Sequence, residues 1–493
     1  MLNLIGSGAP MVVAAFCIPV LIRGLGADRF GVLTLSWTVI GYANLFDFGL
    51  GRSLTQIVAQ RLGAGFDPEI PAVVWTALVL MLLLGIAGSC TMIAATPWLV
   101  YRELNIPGLL QKETVLCFYL LALSIPVVIT TAGLRGFLEA HQRFALVNVL
   151  RLPLGVFMFL GPLLILPFSK SLTLIVVALV AFRALAWLGH LAACFRVSPA
   201  LFVIPSWNSG LASQLVRLGG WMTVSNIVGP LMVTSDRFII SALLSVAAVT
   251  YYSTPFEVVT KLLLIPVAIV GVIFPAFSVR WVQNSSGAAI LLAQTIRYMT
   301  VAIFPLVLVV IIFANEGLRF WLGADFANHS TKVLQWLALG VFMNSLSHVP
   351  FAMVQGAGRP NLTAKLHLVE LPIYLITVWA MIRYQGINGA AMAWAGRAIL
   401  DALCLFIMAA YLLPARTFKV TKVLVALLVL LSCLTVAILP HDIVTKVLFL
   451  AVTLWAFALS AWFLVLTPVE RARVQGYWAR RRAYAASGAR EIV

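Results

Sequence analysis

Residues 71–97 have the sequence PAVVWTALVLMLLLGIAGSCTMIAATP, without one charged side chain. About 20 residues of helix cross the hydrocarbon core of a bilayer, so this stretch is long enough to span a membrane. The rest of the 493-residue chain is similar, since 62% of its residues are hydrophobic and 10% are charged, against about 25% charged in soluble domains. This composition excludes a soluble enzyme and, despite a net charge of +17, a nucleic-acid-binding protein.

Apolar stretches of spanning length recur along the whole chain. They lie at 4–22, 31–59, 71–97, 115–134, 145–167, 171–195, 213–235, 245–278, 293–314, 331–354, 362–382, 389–413, 421–440 and 445–467. We therefore predict an all-α polytopic membrane protein with about 14 transmembrane helices, twelve being the alternative count. Stretches 31–59 and 245–278 are too long for one straight crossing, so each should bend or extend past the membrane. Gly49 and Gly51 suit a bend in the first.

Two short patterns occur twice in the same order. DRF at residues 28–30 recurs at 236–238, and YxxxF followed by an acidic residue at 42–47 recurs at 252–257. Repeated halves are typical of transporters, in which the substrate site lies between the repeats. We predict two pseudo-symmetric six-helix bundles around a central cavity. The predicted boundaries are 1–200 and 201–415 for the bundles, 416–467 for two additional helices and 468–493 for a basic tail.

Lysine and arginine residues predict the orientation, because short loops rich in them stay in the cytoplasm. The even-numbered connections and the C-terminal tail together carry more of these residues than the odd-numbered connections, and the tail includes the run Arg480, Arg481 and Arg482. We predict a multi-pass protein of the cytoplasmic (inner) membrane, with both termini in the cytoplasm.

Ionisable side chains inside a bilayer are costly unless they face protein or water, so they mark candidate sites. The acidic and basic residues that lie more than four residues inside a predicted span are Asp47, Arg52, Arg151, Arg183, Glu257, Lys261, Glu370, Arg397 and Asp401. Glu257 and Lys261 are four residues apart, on one helix face. Arg397 and Asp401 have the same spacing. Either pair can be an internal ion pair that only locks helices together.

Arg52 and Lys261 are the stronger functional candidates, because they follow corresponding motifs in the two halves. Two cations that face one cavity would attract a dense anion, and an arginine fits phosphate as a two-pronged donor. Asp47 and Glu257 then serve as resting counter-ions, or as proton carriers, because burial favours the neutral carboxyl group.

No catalytic residue, cofactor or metal site is predicted. The six cysteines lie singly inside apolar runs, and neither a zinc-binding HExxH motif nor a phosphate-binding GxxxxGK[ST] loop occurs. The protein is therefore not expected to be an enzyme or to contain its own ATPase.

Several stretches resemble the polysaccharide and O-antigen flippases of the multidrug/oligosaccharidyl-lipid/polysaccharide exporter superfamily. They are NLIGSGAP at 3–10, PVLIRGLGADRFG at 19–31, FDFGLGR at 46–52, QGAGRP at 355–360 and GINGAA at 386–391. The resemblance implies two six-helix bundles around a cationic cavity. It also implies alternating access that moves an undecaprenyl-pyrophosphate-linked oligosaccharide from the cytoplasmic to the periplasmic leaflet.

Such a substrate also suits the residues themselves. Two cations can hold a pyrophosphate, and polar residues such as Asn44 and Gln56 either line a path for the sugars or join helices. Expected partners are the lipid-linked oligosaccharide, membrane lipids and the polysaccharide polymerase and assembly machinery, but no nucleic acid. The alternatives are a drug/cation antiporter of the same superfamily, a membrane-embedded polysaccharide polymerase or glycosyltransferase, and a scaffold for the assembly machinery.

Overall fold

A computed structural model describes residues 2–43, 49–64, 69–202, 208–283, 285–414, 419–462 and 471. Within these ranges every regular element is a helix, and no strand occurs. The prediction of an all-α polytopic membrane protein is confirmed.

Sixteen α-helices are present in the described ranges. They are α1 (Leu2–Leu25), α2 (Ala27–Ala43), α3 (Leu50–Ala64), α4 (Ile70–Trp98), α5 (Gly108–Ala140), α6 (Phe144–Ile165), α7 (Leu172–Val197), α8 (Ser209–Leu243), α9 (Val246–Val259), α10 (Leu264–Gln283), α11 (Ser285–Ile312), α12 (Ala314–Leu322), α13 (Ala324–Gly356), α14 (Pro360–Leu412), α15 (Val420–Val436) and α16 (Ile443–Ser460). A π-helical turn (Leu99–Glu103) extends α4, and 3₁₀ turns follow α7 (Pro199–Phe202) and α9 (Thr260–Leu263).

Nine helical segments of the described chain are long and apolar enough to cross a membrane, and two further apolar helices are shorter. The total of 14 spans stays a prediction, because the length and hydropathy of single helices do not fix the number of crossings.

Both over-long stretches are broken, as the sequence predicts. In 31–59, α2 ends at Ala43 and α3 begins at Leu50, next to Gly49 with a φ of 72°. Glycine adopts this left-handed conformation without the strain that a Cβ would cause. In 245–278, the 3₁₀ turn over Thr260–Leu263 separates α9 from α10.

Helix α14 contains a similar break. Its 53 residues would form a straight rod of about 80 Å, far longer than the hydrocarbon core is thick. Gly386, with φ 58° and ψ −139°, interrupts the helix. The two predicted spans at 362–382 and 389–413 therefore correspond to the two segments of α14.

The chain divides into two compact units. The first unit comprises the described parts of 1–261, 318–337 and 360–397. One buried cluster of this unit draws side chains from α3, α4, α5 and α7, among them Leu54, Val74, Met81, Ile129 and Phe137.

The second unit comprises the described parts of 262–317, 338–359 and 398–493. Its core includes Phe304, which stacks on Phe457 at a centroid distance of 4.5 Å and meets Phe342 edge-on at 6.1 Å. Lys446 of α16 donates to Glu316 of α12 over 2.8 Å. The bundle boundaries predicted at residues 200 and 415 stay predictions.

In the first unit, α2 packs against α9 at backbone distance. A Cβ added to Gly31 would lie 2.1 Å from the carbonyl oxygen of Val246. One turn along α9, Thr250 Oγ1 donates to the carbonyl oxygen of Ala27 over 2.8 Å. Only a glycine fits at position 31, because the neighbouring backbone cannot rotate away as a side chain can.

We expect Gly31→Ala to destabilise the protein by about 1–3 kcal/mol, the usual cost of overpacking. The matched control is Gly41→Ala on the same helix, where an added Cβ meets no atom within 4 Å. Thermal unfolding of the purified proteins in detergent measures the difference. Equal midpoints for the two variants would contradict the close contact between α2 and α9.

Candidate functional site

The first unit contains a cavity of about 250 Å³, lined by α1, α2, α6, α8 and α9, which we call the polar cavity after the ion pair in its wall. Its apolar wall consists of Ile18, Phe30, Trp37, Met158 and Phe159. Its polar wall consists of Thr34, Thr38, Tyr42, Thr234, Arg237, Ser253, Thr254 and Glu257. The lining helices come from both predicted halves of the sequence. A cavity smaller than the usual range of about 300–1,000 Å³ suits one group of a larger ligand.

An ion pair between Arg237 of α8 and Glu257 of α9 forms the charged part of the polar cavity. Arg237 Nη2 donates to Glu257 Oε1 over 2.6 Å, and Arg237 Nη1 donates to Thr38 Oγ1 of α2 over 3.2 Å. The Arg237 side chain is 6% exposed. A buried guanidinium needs such a partner, because removal from water without compensation costs several kcal/mol.

Glu257 has a second basic partner. Lys261 Nζ lies 3.3 Å from Glu257 Oε2, in the four-residue spacing predicted from the sequence. Lys261 belongs to the 3₁₀ turn after α9 and its side chain is 37% exposed. It is not among the residues that line the polar cavity. Glu257 therefore holds two cations, one buried and one half-exposed.

Next to Arg237 in the sequence lies a fully buried acid, Asp236. Its carboxylate accepts a hydrogen bond from the Tyr252 hydroxyl and another from the Arg237 backbone N–H, the latter over 2.8 Å. Both Asp236 and Tyr252 are fully buried. These bonds fix the end of α8 against α9 and so set the position of Arg237.

Aromatic rings connect Arg237 to a further cation. Phe256 lies 5.4 Å from the Arg237 guanidinium and meets Trp394 edge-on at 5.4 Å. The Arg397 guanidinium lies 5.8 Å from the Trp394 ring and 5.7 Å from the Tyr374 ring. Cations within about 6 Å of a ring centroid are attracted to its face. Arg397 therefore makes cation–π contacts with Tyr374 and Trp394.

The predicted ion pair of Arg397 with Asp401 stays a prediction. Asp401 is a buried residue of the second unit.

Several buried polar atoms in the wall of the polar cavity have no hydrogen-bond partner among the described residues. They include Trp37 Nε1, Arg237 Nε, Ser253 Oγ and Thr254 Oγ1. Every one of them can donate a hydrogen bond. A buried donor without a partner costs about 1–3 kcal/mol, so this wall suits a ligand or solvent rich in oxygen acceptors.

The hypothesis on Arg52 stays a prediction. The backbones of Arg52 and Gln56 lie in α3, but their side chains, like the whole of Asn44 and Asp47, lie outside the described residues. Arg52 is nevertheless close to the break before α3, and Lys261 lies in the turn before α10. The two predicted cations therefore occupy similar places, at the break between the second and third helix of each half.

Arg237 is the functional candidate that sequence reasoning missed. A span ending at residue 235 put Asp236 and Arg237 in a connection, which is wrong, because α8 continues to Leu243 and buries both. The error arose because paired charges are tolerated inside a protein, whereas a hydropathy scan treats every charge as exposed.

The DRF repeat was the available signal, but its two copies differ in environment. Arg29 lies in the first turn of α2, pairs with Glu113 at 3.0 Å and is 31% exposed.

The fold is that of a known class of membrane transporters. A multidrug resistance MATE family transporter of the MOP superfamily, in its inward-facing conformation, superposes with a TM-score of 0.71 at 14% identity, over 85% of this chain and 98% of that one. The lipid II flippase MurJ, in an inward closed conformation, gives 0.69 at 12% identity, over 92% and 97%. At 14% and 12% sequence identity, these two structures show a similarity of fold alone.

The sequence comparisons define the family. The profile of the family described as "Polysaccharide biosynthesis protein" matches residues 1–281. A putative O-antigen transporter of Shigella flexneri is 30% identical over 406 residues, 82% of this chain and 95% of that protein. A probable low-salt glycan biosynthesis flippase of Haloferax volcanii is 24% identical over 399 residues, 80% and 78% of the two chains.

The chain belongs to the polysaccharide biosynthesis protein family, which confirms the resemblance found in its motifs. Both relatives are named for transport rather than for catalysis, in agreement with the prediction of a non-enzymatic protein.

Removal of Arg237 should leave Glu257 short of a buried partner. We expect Arg237→Met to cost about 1–3 kcal/mol of stability, because its charge-assisted hydrogen bonds are lost while Lys261 still neutralises Glu257, and the double change with Glu257→Leu to cost less than the sum of the two single changes. Arg135→Met is the control, because its pair with Glu139 is 3.6 Å long and half-exposed, and should cost at most about 1 kcal/mol. Thermal unfolding in detergent compares Arg237→Met, Glu257→Leu, the double variant and the Arg135→Met control with the wild-type protein. Additive losses in the double variant would contradict a coupled ion pair between Arg237 and Glu257.

Proposed function

We propose that this protein is a flippase that moves a polyprenyl-pyrophosphate-linked oligosaccharide across the cytoplasmic membrane by alternating access, in the synthesis of a surface polysaccharide such as O-antigen or exopolysaccharide. Its family and the names of its relatives support a role in saccharide transport. The observation that carries the proposal is the polar cavity. Helices of both predicted halves line it, and its wall contains a buried arginine and donors without hydrogen-bond partners.

Exchange of partners at Glu257 is the proposed binding step. With the site empty, Glu257 neutralises Arg237. When a phosphate group arrives, Arg237 turns its donors to the phosphate oxygens, and Lys261 remains as the counter-ion of Glu257. Neither the acid nor the base is then left unpaired in the membrane, which keeps the cost of the exchange low. The guanidinium keeps its charge throughout, because arginine stays protonated in proteins.

Arg52, with Asp47 as its counter-ion, is the proposed second phosphate ligand. The donors of Ser253, Thr254 and Trp37 are proposed to hold phosphate or sugar oxygens. The helix breaks at Gly49 and at Thr260–Leu263 lie next to Arg52 and Lys261. Such breaks are points at which helices bend during alternating access.

A cation exporter of the same fold is a poorer match to the polar cavity. Such a protein needs acidic groups without matched bases. Glu257 instead contacts two bases, and the unpaired atoms in the wall are donors. The cavity therefore favours an anionic group. We further propose that the bundles 1–200 and 201–415 move against each other, and that a polymerase and its assembly machinery receive the transported glycan.

Loss of Arg237 should abolish export. In a deletion strain, the variant Arg237→Ala should fail to restore surface polysaccharide, and Arg237→Lys should restore part of it, because the charge survives without the two-pronged geometry. Arg52→Ala should fail in the same way. The control is Arg29→Ala, in the other DRF copy and outside the cavity, which should export normally.

Membrane abundance by immunoblot and mass spectrometry of the lipid-linked glycan that accumulates complete the test. Normal export by Arg237→Ala at normal abundance would refute the binding role. Equal loss of export and of protein in the Arg237→Ala strain would point to a structural role instead.

Orientation is tested separately. Reporter fusions at Val493 should give a cytoplasmic signal, and fusions near Asp325 a periplasmic one, because the basic tail and connections stay in the cytoplasm. The reverse pattern would overturn the predicted topology.

A further inference from the structure

The second unit contains a groove formed by α11, α15 and α16, which we call the basic groove. Its volume is about 710 Å³, within the range of about 300–1,000 Å³ that is typical of ligand sites. Most of its wall is apolar, with Val301, Phe304, Leu427, Leu430 and Phe457 among the lining residues. Its lining extends along α15 from Lys419 to Cys433, about 21 Å at 1.5 Å per residue. This length exceeds the share of one leaflet in the hydrocarbon core, about 15 Å.

Three basic side chains line the groove. Lys419 and Lys422 lie at the start of α15, and Arg297 lies in the first half of α11. All three are exposed. No acidic side chain occurs among the described residues that line the groove. The site thus combines an excess of positive charge with a long apolar wall.

The predicted orientation puts these three bases near the cytoplasmic side, where the connections before α11 and α15 lie. The cytoplasmic leaflet is rich in anionic lipids, and basic pockets between transmembrane helices on this side bind their headgroups. A single lysine at a helix start commonly extends to the interface without a specific ligand. Extension of single side chains to the interface does not explain why three bases from two helices line a groove as long as an acyl chain.

We propose that the basic groove binds an anionic phospholipid of the surrounding bilayer. Arg297, Lys419 and Lys422 hold the phosphate of its headgroup, and an acyl chain lies along the apolar wall between α11, α15 and α16. This site shares no lining residue with the polar cavity. The proposal is therefore independent of the proposed substrate and of the phosphate contact at Arg237.

Native mass spectrometry of the full-length protein in detergent tests the proposal, with phosphatidylglycerol and phosphatidylcholine as the two probes. We expect one phosphatidylglycerol to bind more tightly than phosphatidylcholine. The triple variant Arg297→Gln, Lys419→Gln, Lys422→Gln should weaken phosphatidylglycerol binding roughly a hundred-fold, from the usual contribution of each basic residue. The matched control changes Arg143, Arg196 and Lys365 to Gln, three exposed bases on the same predicted side that do not line the groove.

A second variant tests the apolar wall while leaving the bases in place. Ala426→Trp should fill the groove and weaken binding of phosphatidylglycerol, but not of a short-chain glycerophosphate probe. The proposal is supported if the groove triple loses phosphatidylglycerol binding, the control triple keeps it, and Ala426→Trp also weakens it.

Three outcomes would overturn it. Equal losses in the two triples would show a general effect of surface charge. Equal affinities for the two lipids in the wild-type protein would show a groove without headgroup selectivity. Displacement of phosphatidylglycerol by lower concentrations of a polyprenyl pyrophosphate would assign the groove to the tail of the substrate.

Discussion

Neutralisation of buried charge is the constraint on which the polar cavity depends. A guanidinium removed from water is tolerated only when acids, hydroxyls or rings compensate for the lost hydration. Arg237 meets this requirement through Glu257 and Thr38, from two different helices. Because the bonds of Arg237 join α8 to α9 and α2, the electrostatic requirement also determines how the helices pack. Lys261 adds a second base to Glu257, so the acid has two neutralising partners.

The amino-acid pattern predicted the fold well where one physical effect dominated. Long apolar runs without charge, such as 71–97, form helices because a backbone in lipid has no other way to satisfy its hydrogen bonds. The breaks in 31–59 and 245–278 followed from length alone, and Gly49 identified one of them by its conformational freedom. The site was predicted less completely. Glu257 and Lys261 were found by their spacing, since a four-residue separation is a local property of one helix.

Arg237 could not be found in the same way, because its role depends on contacts distant in sequence. Its partners Glu257 and Thr38 are 20 and 199 residues away, and no periodicity links them. The hydropathy pattern even counts against Arg237, since an adjacent acid and base lower the local average. The unpaired donors of Ser253 and Thr254 are equally hidden, because hydroxyl groups in apolar helices usually bond to their own backbone. Thr34 and Thr38 do so here.

The contact between α2 and α9 has a consequence for biosynthesis. The bond from Thr250 to Ala27 spans 223 residues of chain, which a ribosome needs about 10–45 s to synthesise at 5–20 residues per second. Throughout that interval α2 has been synthesised but α9, the helix that packs against Gly31, has not. The helices synthesised before α9 must therefore stay in the insertion machinery or make temporary contacts with lipid and with one another. The polar cavity closes only after the chain has emerged as far as α9, so a truncated product that ends before residue 246 contains no such cavity.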